Sequence, residues 1–369
     1  MVNKKSILQI CKVYFPVKGG VQIVAERLAR QLRDRYTSTI LTTTEGEAGV
    51  EETDFGKVVR HKSWFELFSL PFAPALLSGV FKHSPGADYV LSHSPFPLAD
   101  FALLLSFRRL RKLIVYWHSD VVSQRLLQLL LSPLTHLLLR RADAIAVSNP
   151  VLIETSRYLS RYRDKCTVVP IGFDPDPEAV EKIQDKGYFL FVGRHVPYKG
   201  ISVLIDAVQQ SGVKLVLAGG GPLYDKHREK IERLALTDRV SLVRNPSDPE
   251  VQVLMAECRA FVLPSVLPSE AFGMVQAEAM SFGKPVVNTW LASGVPWVAR
   301  DGIEGITVEA RDVVALAAAL QTLNEDSGLR ERLGSAARQR WEEEFSLRTM
   351  DEKMASLLQR LDSDRRCVE

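Results

Sequence analysis

Short runs of apolar, β-branched and aromatic residues alternate with amphipathic stretches along the first half of the chain. The runs typical of strands cover residues 6–14, 36–43, 89–92, 113–117, 144–147 and 167–170, and residues 20–34 have helical periodicity. Strands that alternate with helices form a parallel sheet covered on both faces. The pattern predicts a Rossmann-like α/β domain over residues 1–172.

The same alternation starts again after residues 173–187, a stretch rich in Pro, Asp and Gly that predicts a linker. Strands are expected at 188–193, 214–218, 240–243, 260–264 and 285–289, with helices at 201–210, 249–256 and 273–281. Residues 188–344 are therefore predicted to form a second Rossmann-like domain. Such sheets bind ligands at the carboxyl ends of their strands, and two of them facing each other would leave an interdomain cleft.

The composition agrees with a soluble globular protein, since 46% of the residues are apolar and 25% are charged. The four cysteines form no C-x-x-C pair, which fits a reducing cytosol and disfavours metal knuckles. Lys12 interrupts the N-terminal apolar stretch, so we interpret it as a strand rather than a signal peptide. Residues 126–139 are too few to span a bilayer, which needs about 20. We expect a cytoplasmic protein.

Glycines and basic side chains follow the first strand of each predicted domain. Gly19 and Gly20 open the first helix, where a backbone can approach an anion closely or simply turn tightly. Gly193 and Arg194 follow an apolar strand, and Lys199 comes five residues later. Arg can bind a diphosphate with two hydrogen bonds and Lys adds a point charge. A solvated basic loop is the alternative, but the position at a strand end favours binding.

The run Gly219–Gly220–Gly221 also follows a strand, but Tyr224 stands where a dinucleotide fingerprint needs its third glycine. A dehydrogenase is therefore disfavoured, and no cofactor is expected. The two Asp-x-Asp sequences, at 174–176 and 362–364, follow no sheet strand and are interpreted as solvated turns. No metal site is predicted.

Two glutamates, Glu270 and Glu278, stand eight residues apart around Gly273. On one helix this spacing would separate them by about 12 Å, whereas a retaining glycosidase pair needs about 5–5.5 Å. We predict instead two contacts on one extended ligand. The amides of Gly273, Met274 and Val275 would donate to phosphate at the start of the helix.

His118 ends a first-half strand in Trp117–His118–Ser119–Asp120. A lone histidine is more often structural, but the strand end and the neighbouring carboxylate favour a functional role.

These motifs resemble the retaining GT-B glycosyltransferases of family 4 over nearly the whole chain. The most specific match is E-x(7)-E from Glu270 to Glu278, followed by Gly283–Lys284–Pro285. Supporting matches are Gly19–Gly20, residues 169–174, Gly193–Arg194 with Lys199–Gly200, and residues 219–222. Residues 288–298 depart from the glycine-rich turn of many relatives, so contacts there are not carried over.

The resemblance implies a nucleotide-diphosphate sugar donor, bound mainly by the second domain. Arg194 and Lys199 would hold the diphosphate, Glu278 the ribose and Glu270 the donor sugar. His118 would line the sugar site, with Gly220 among the donor-binding glycines. It further implies metal-independent transfer with retention, and a final helix, residues 345–369, that packs back on the first domain. Residues 288–298 also look similar to the same segment of bacterial surface-polysaccharide mannosyl- and rhamnosyltransferases. This similarity implies that the transferred sugar is mannose and that the donor is GDP-mannose.

The acceptor is expected to be lipid-linked or a saccharide. Arg108, Arg109, Arg111 and Lys112 cluster beside aliphatic residues, and Arg140–Arg141 repeat the pattern. Such a surface can bind an anionic membrane, here the inner face of the cytoplasmic membrane. The alternative is an ordinary helix whose arginines extend along apolar surface to reach water. Nucleic acid is not an expected partner, because aromatic residues are not interleaved with the charge.

Two further functions stay open from sequence. One is a nucleotide-sugar epimerase or hydrolase of the same fold. The other is a non-catalytic sugar-nucleotide-binding subunit, which is disfavoured because the charged site residues are all present.

Overall fold

The computed structural model describes residues 4–16, 19–67, 70–120, 125–181 and 183–363. The chain divides into two compact units. The first contains Met1–Ile171 together with Leu347–Glu369, and the second contains Gly172–Ser346.

The first unit is built on an eight-stranded sheet. Its strands are β1 (Lys5–Val13), β2 (Tyr36–Thr44), β3 (Gly49–Thr53), β4 (Gly56–Lys62), β7 (Tyr89–Ser94), β8 (Leu113–Trp117), β9 (Ala144–Val147) and β10 (Cys166–Val168), with a separate hairpin of β5 (Phe65–Leu67) and β6 (Leu70–Phe72). The sheet order is β10-β9-β8-β7-β1-β2-β4-β3, and only the pairing of β3 with β4 is antiparallel.

Helices and short turns cover this sheet. They are α1 (Gly20–Leu32), α2 (Pro74–His83), α3 (Pro97–Leu105), α4 (Arg125–Arg141), α5 (Val151–Thr155) and, from the end of the chain, α14 (Leu347–Ser363). The core contains fully buried side chains from the central strands, among them Ile10, Val90 and Val115. Buried on both faces, these strands read as continuous apolar runs, as parallel sheets do.

The last helix, α14, packs against α1. Its Met354, Leu357 and Leu358 are buried, and each such side chain contributes roughly 1.5–3 kcal/mol. Polar contacts add to this, because the Tyr89 hydroxyl lies 2.5 Å from Asp362 Oδ1 and Arg360 donates to the Thr167 hydroxyl. Of the predicted segment 345–369, residues 364–369 lie outside the described part of the chain.

The second unit contains a six-stranded, entirely parallel sheet in the order β13-β12-β11-β14-β15-β16. Its strands are β11 (Tyr188–Val192), β12 (Lys214–Ala218), β13 (Val240–Val243), β14 (Ala260–Leu263), β15 (Val286–Trp290) and β16 (Gly305–Glu309). Its helices are α6 (Pro177–Val180), α7 (Ile201–Ser211), α8 (Tyr224–Arg233), α9 (Asp248–Glu257), α10 (Met274–Met280), α11 (Val295–Val298), α12 (Val313–Glu325) and α13 (Ser327–Arg340).

Residues 173–187 belong to the second unit and are partly ordered by it. Asp176 caps α6 by accepting from the amide of Glu178. The backbone amides of Gln184 and Lys186 donate hydrogen bonds to the carbonyls of Ala256 and Glu257, at the end of α9. The Pro- and Asp-rich segment therefore forms a capped helical turn in addition to linking the two units.

Among the described residues, no helix combines the length and the apolar character that crossing a bilayer requires.

Candidate functional site

Glycine turns lie at the carboxyl ends of the neighbouring strands β11 and β12. Gly193 (φ 158°) and Gly219 (φ 143°) have positive φ values. A Cβ on Gly219 would lie 2.0 Å from the carbonyl oxygen of Gly193, and one on Gly220 2.0 Å from Asn245 Oδ1. The glycines predicted to bind a donor are thus also required for the close approach of neighbouring loops.

Arg194 follows this turn and is exposed, whereas the next side chain, His195, is fully buried. His195 Nδ1 lies 3.0 Å from His227 Nδ1, and its backbone amide donates to the Gly220 carbonyl. The Gly193 amide donates to the Ala218 carbonyl, so the loop is anchored on both sides of Arg194. The structure presents its guanidinium to solvent at the carboxyl edge of the sheet.

The most informative contact of the second unit joins Lys199 to Glu270. Lys199 Nζ lies 2.5 Å from Glu270 Oε2, and both side chains are 11% exposed. Gly200 (φ 68°) permits this contact, since a Cβ there would lie 1.9 Å from the Pro264 carbonyl oxygen. Two residues that the sequence assigned separately, to the diphosphate and to the sugar, therefore form one ion pair.

Two further side chains, which the sequence analysis did not select, support Glu270. Ser265 Oγ donates to Glu270 Oε2 at 3.1 Å, and Thr289 Oγ1 donates to the Ser265 carbonyl at 2.5 Å. Both are buried. The position of Ser265 directly after the predicted strand 260–264 was the available signal.

Gly273, whose φ of 70° is left-handed, is the N-cap residue directly before α10. A Cβ there would meet Leu263 Cδ2 at 2.6 Å. Met274 and Val275 form the first turn, in which amides have no intrahelical acceptor. The helix has 7 residues and carries Glu278 on its last turn, while Glu270 stands before it in a loop.

A buried amide network holds α10 in place. Asn288 Nδ2 donates to Gln276 Oε1 at 2.8 Å and to the Ala299 carbonyl at 2.9 Å, and Thr307 donates to Asn288 Oδ1 at 2.7 Å. Gln276 and Asn288 are at most 1% exposed. Asn288, in the segment whose contacts could not be carried over, therefore has an internal structural role.

In the first unit, Gly19 and Gly20 stand at the start of α1, at the carboxyl edge of the sheet. Gly19 has an extended backbone (φ −179°) that any residue can adopt, and a Cβ there would lie 3.1 Å from the Gln22 amide nitrogen. Lys18, which precedes them, lies outside the described residues.

His118 follows β8 at the same edge. Its Nε2 lies 2.9 Å from Nδ1 of His93, whose Nε2 lies 2.8 Å from Gln9 Oε1. Burial lowers the pKa of His118 to about 3 and, together with the proximity of His118, lowers that of His93 well below its usual value. His118 is therefore neutral and belongs to a buried polar line. Sequence analysis missed His93, although Ser92–His93–Ser94 is a polar triplet on a buried strand.

The basic cluster lies at the opposite edge of this sheet. Arg108 and Arg109 form a 3₁₀ turn before β8, and Arg140 and Arg141 end α4 just before β9. Arg111 pairs with Asp88 at 2.6 Å. The carboxyl edge instead has exposed apolar side chains after β4 and near the start of α4, namely Trp64, Phe65, Phe72, Leu129 and Leu130.

No group of three or more His, Cys, Asp and Glu side chains is placed to hold a metal ion within the described parts of the chain.

Comparison with known proteins agrees with this architecture. The family model "Glycosyltransferase Family 4" matches residues 18–177, and the model "Glycosyl transferases group 1" matches residues 173–340. The O-antigen chain mannosyltransferase C of Escherichia coli is 31% identical over 352 residues, covering 92% of this chain and 94% of that protein. The D-rhamnosyltransferase WbpZ of Pseudomonas aeruginosa is 28% identical, covering 92% of each chain.

Solved structures match the fold. The crystal structure of Anabaena Alr3699/HepE in complex with UDP superposes with a TM-score of 0.79 at 22% identity, over 96% of this chain and 100% of that one. The sucrose-phosphate synthase of Thermosynechococcus elongatus gives a TM-score of 0.77 over 98% of this chain and 100% of that one, at 20% identity. With two Rossmann-like sheets and a relative this similar along nearly its full length, the chain belongs to the GT-B glycosyltransferases of family 4.

Proposed function

We propose that this glycosyltransferase transfers a sugar, with retention and without a metal ion, from a nucleotide-diphosphate donor to a lipid-linked or saccharide acceptor. The observation that carries the proposal is the buried Lys199–Glu270 pair at the carboxyl edge of the second sheet, close in sequence to the exposed Arg194. A buried cation beside an exposed guanidinium suits a diphosphate, and a carboxylate suits sugar hydroxyls.

In the proposed reaction, the bond between the sugar C1 and the diphosphate oxygen breaks, and a bond from the acceptor oxygen to C1 forms on the same face. The acceptor's proton passes to the departing diphosphate. Negative charge grows on that leaving group, so Arg194, Lys199 and the amides of Gly273, Met274 and Val275 act by stabilising it. The donor-binding glycines, Gly19, Gly20, Gly193 and Gly220, let the backbone approach the donor closely.

Glu270 and Glu278 hold the donor at two separate points in this proposal. Glu270, fixed by Ser265 and Lys199, accepts from sugar hydroxyls. Glu278, on the last turn of α10, accepts from the ribose. His118 contacts the donor sugar.

We propose GDP-mannose as donor and a surface polysaccharide as the product. Support comes from the names of the relatives, which include an O-antigen mannosyltransferase and a GDP-mannose-dependent mannosyltransferase of Mycolicibacterium smegmatis that is 25% identical over 383 residues. The HepE structures contain UDP, so the nucleotide base needs a direct test.

The test combines binding with product analysis. GDP-mannose is expected to raise the melting temperature more than UDP- or dTDP-sugars, and NMR of the product with a saccharide acceptor is expected to show the anomeric configuration of the donor. Release of free sugar without acceptor transfer would instead identify a hydrolase, and donor binding with no product would identify a non-catalytic subunit. An inverted anomer would refute retention.

Membrane association is proposed through the carboxyl edge of the first unit rather than through the arginine cluster, because that edge carries exposed Leu129 and Leu130 (71% exposed each). Flotation with anionic vesicles compares Leu129→Ser/Leu130→Ser with Arg108→Glu/Arg109→Glu. We expect the leucine variant to lose binding. Loss confined to the arginine variant would return the contact to the basic edge, and flotation of neither the wild type nor a variant would exclude the membrane.

A further inference from the structure

A line of three hydrogen-bonded side chains crosses the first sheet toward its carboxyl edge. Gln9 lies on β1, His93 on the neighbouring β7, and His118 directly after β8. Gln9 and His93 are at most 2% exposed, whereas His118 is partly exposed. The line therefore leads from the sheet interior to the proposed sugar site.

The direction of every hydrogen bond in this line follows from its inner end. The Ala25 carbonyl can only accept, so the Gln9 group that contacts it at 3.2 Å must be the amide nitrogen. Gln9 Oε1 then faces His93 Nε2 at 2.8 Å, which must carry the proton. A neutral His93 has no second proton, so its Nδ1 is an acceptor.

The protonation of His93 determines which nitrogen of His118 carries a proton. Because His93 Nδ1 accepts, the proton between the two rings, whose nitrogens are 2.9 Å apart, belongs to His118 Nε2. Nδ1 of a neutral His118 is then a bare lone pair, and it makes no hydrogen bond to the described residues. Among the described residues, the titratable groups that touch His118 are His93 and Tyr116, and its ring stacks on both, at 5.2 and 4.7 Å between centroids.

None of these groups carries charge near neutral pH. Burial lowers the pKa of His93 and of His118 and raises that of Tyr116. Asp120, two residues further along the chain, accepts instead from the Trp117 indole and the Ser156 hydroxyl. The surroundings therefore do not favour an imidazolium.

We propose that Gln9 and His93 are positioning residues that fix His118 as the neutral Nε2–H tautomer, so that His118 offers a hydrogen-bond acceptor, Nδ1, to a hydroxyl of the bound sugar. The proposal rests on the donor site proposed above. It assigns His118 the task of recognising a hydroxyl donor, and not that of an acid or a cation.

The proton positions can be measured without any activity. Long-range proton–nitrogen NMR of the ¹⁵N-histidine-labelled protein distinguishes a protonated from a bare ring nitrogen, and a His118→Gln variant assigns the His118 signals. We expect Nε2 protonated and Nδ1 bare from about pH 5 to about pH 8, with Nδ1 shifting when GDP-mannose is added. A proton on Nδ1, or an imidazolium at neutral pH, would overturn the proposal.

Two variants test the role of His93. His93→Asn retains an acceptor oxygen and is expected to keep the His118 tautomer, whereas His93→Phe preserves a ring but removes the acceptor. In His93→Phe we expect both tautomers of His118, protonation as the pH falls, and an increase of about tenfold in KM for the donor. Unchanged His118 signals in His93→Phe would contradict the role. If the wild type transfers no sugar while the tautomer is as described, the proposed function fails and the positioning stands.

Discussion

At the scale of single residues, chemistry here depends on partners that sequence spacing does not reveal. Lys199 and Glu270 are 71 positions apart, yet they form one nearly buried ion pair. Removing one member of such a pair leaves the other charge uncompensated and costs roughly 3–5 kcal/mol. A single alanine variant of either residue is therefore expected to change stability and activity together.

The Lys199→Ala variant is accordingly expected to lose transfer. Its free energy of unfolding is expected to fall by roughly 3 kcal/mol, so that it unfolds at a lower urea concentration. Lys199→Met/Glu270→Gln, which removes both charges and keeps both shapes, should recover most of the stability but no activity. Urea unfolding and initial rates measure the two effects. Activity in the double variant would show that neither charge takes part in transfer.

Asp100 offers a pH-dependent prediction. Burial raises its pKa to about 7, against hydrogen bonds from Ser94 and the Phe96 backbone. When the pKa of a carboxyl group is higher in the folded than in the unfolded protein, its protonated form stabilises the fold. This contribution is complete below the pKa in the unfolded protein, about 3.9, and is lost as the pH rises toward 7. The loss approaches 4 kcal/mol, to order of magnitude.

The asparagine of the Asp100→Asn variant cannot ionise. The stability of the variant relative to wild type is therefore expected to increase from about pH 4 to about pH 7 and to stay constant above about pH 7. Urea titrations at several pH values give this difference. A difference that does not change with pH would show that Asp100 is not the group responsible.

At the scale of elements, the strand–loop junctions contain the residues proposed to bind the donor and also glycines in close contact with neighbouring backbone. Gly219 lies where β12 ends, close to the turn after β11, so backbone crowding requires a residue without a Cβ at this position. The sequence predicted six of the eight strands of the first sheet and five of the six strands of the second to within a few residues, because apolar runs of this length are typical of strands buried on both faces.

The strands that the sequence analysis missed, β3, β4, β5, β6 and β16, have a weaker apolar signal. β3 is exposed along most of its length, and β5 and β6 have three residues each. Strand β16 begins at Gly305, where a Cβ would lie 1.8 Å from the Val286 carbonyl oxygen, so a residue poor in β-propensity is required by the fold.

Gly219→Ala tests the crowding directly. We expect at least roughly 1–3 kcal/mol of destabilisation from strain, increased by the clash with Gly193, together with weaker binding of GDP-mannose. Gly302→Ala is the matched control, since Gly302 also has positive φ (71°) but a Cβ there would meet nothing within 4 Å. Equal melting temperatures in the two variants would argue against close packing as the reason for Gly219.

At the scale of the whole molecule, the chain forms two units whose cores are separate in sequence except for one helix. Residues 347–363 complete the first unit, although they follow the second along the chain. The second unit, Gly172–Ser346, is continuous and contains the complete six-stranded sheet. It should fold without the rest of the protein, whereas residues 1–171 need α14.

Expression of residues 172–346 alone is therefore expected to give a cooperatively unfolding domain, whose melting temperature rises with GDP-mannose. Residues 1–171 should expose the surface that Met354 and Leu358 cover, and should recover a cooperative transition when a peptide of residues 347–363 is fused to their C-terminus. Calorimetry measures both. A cooperative transition in residues 1–171 alone would show that α14 is dispensable.

By itself, the sequence determined the two parallel sheets, the family, and the positions of the charged residues at strand ends, because periodicity and short motifs are local properties of the chain. Only the tertiary structure decided that Lys199 pairs with Glu270, and that Gln9, His93 and His118 form one line of hydrogen bonds. These relations join residues distant in sequence, so they depend on strand order and register, which no local pattern specifies.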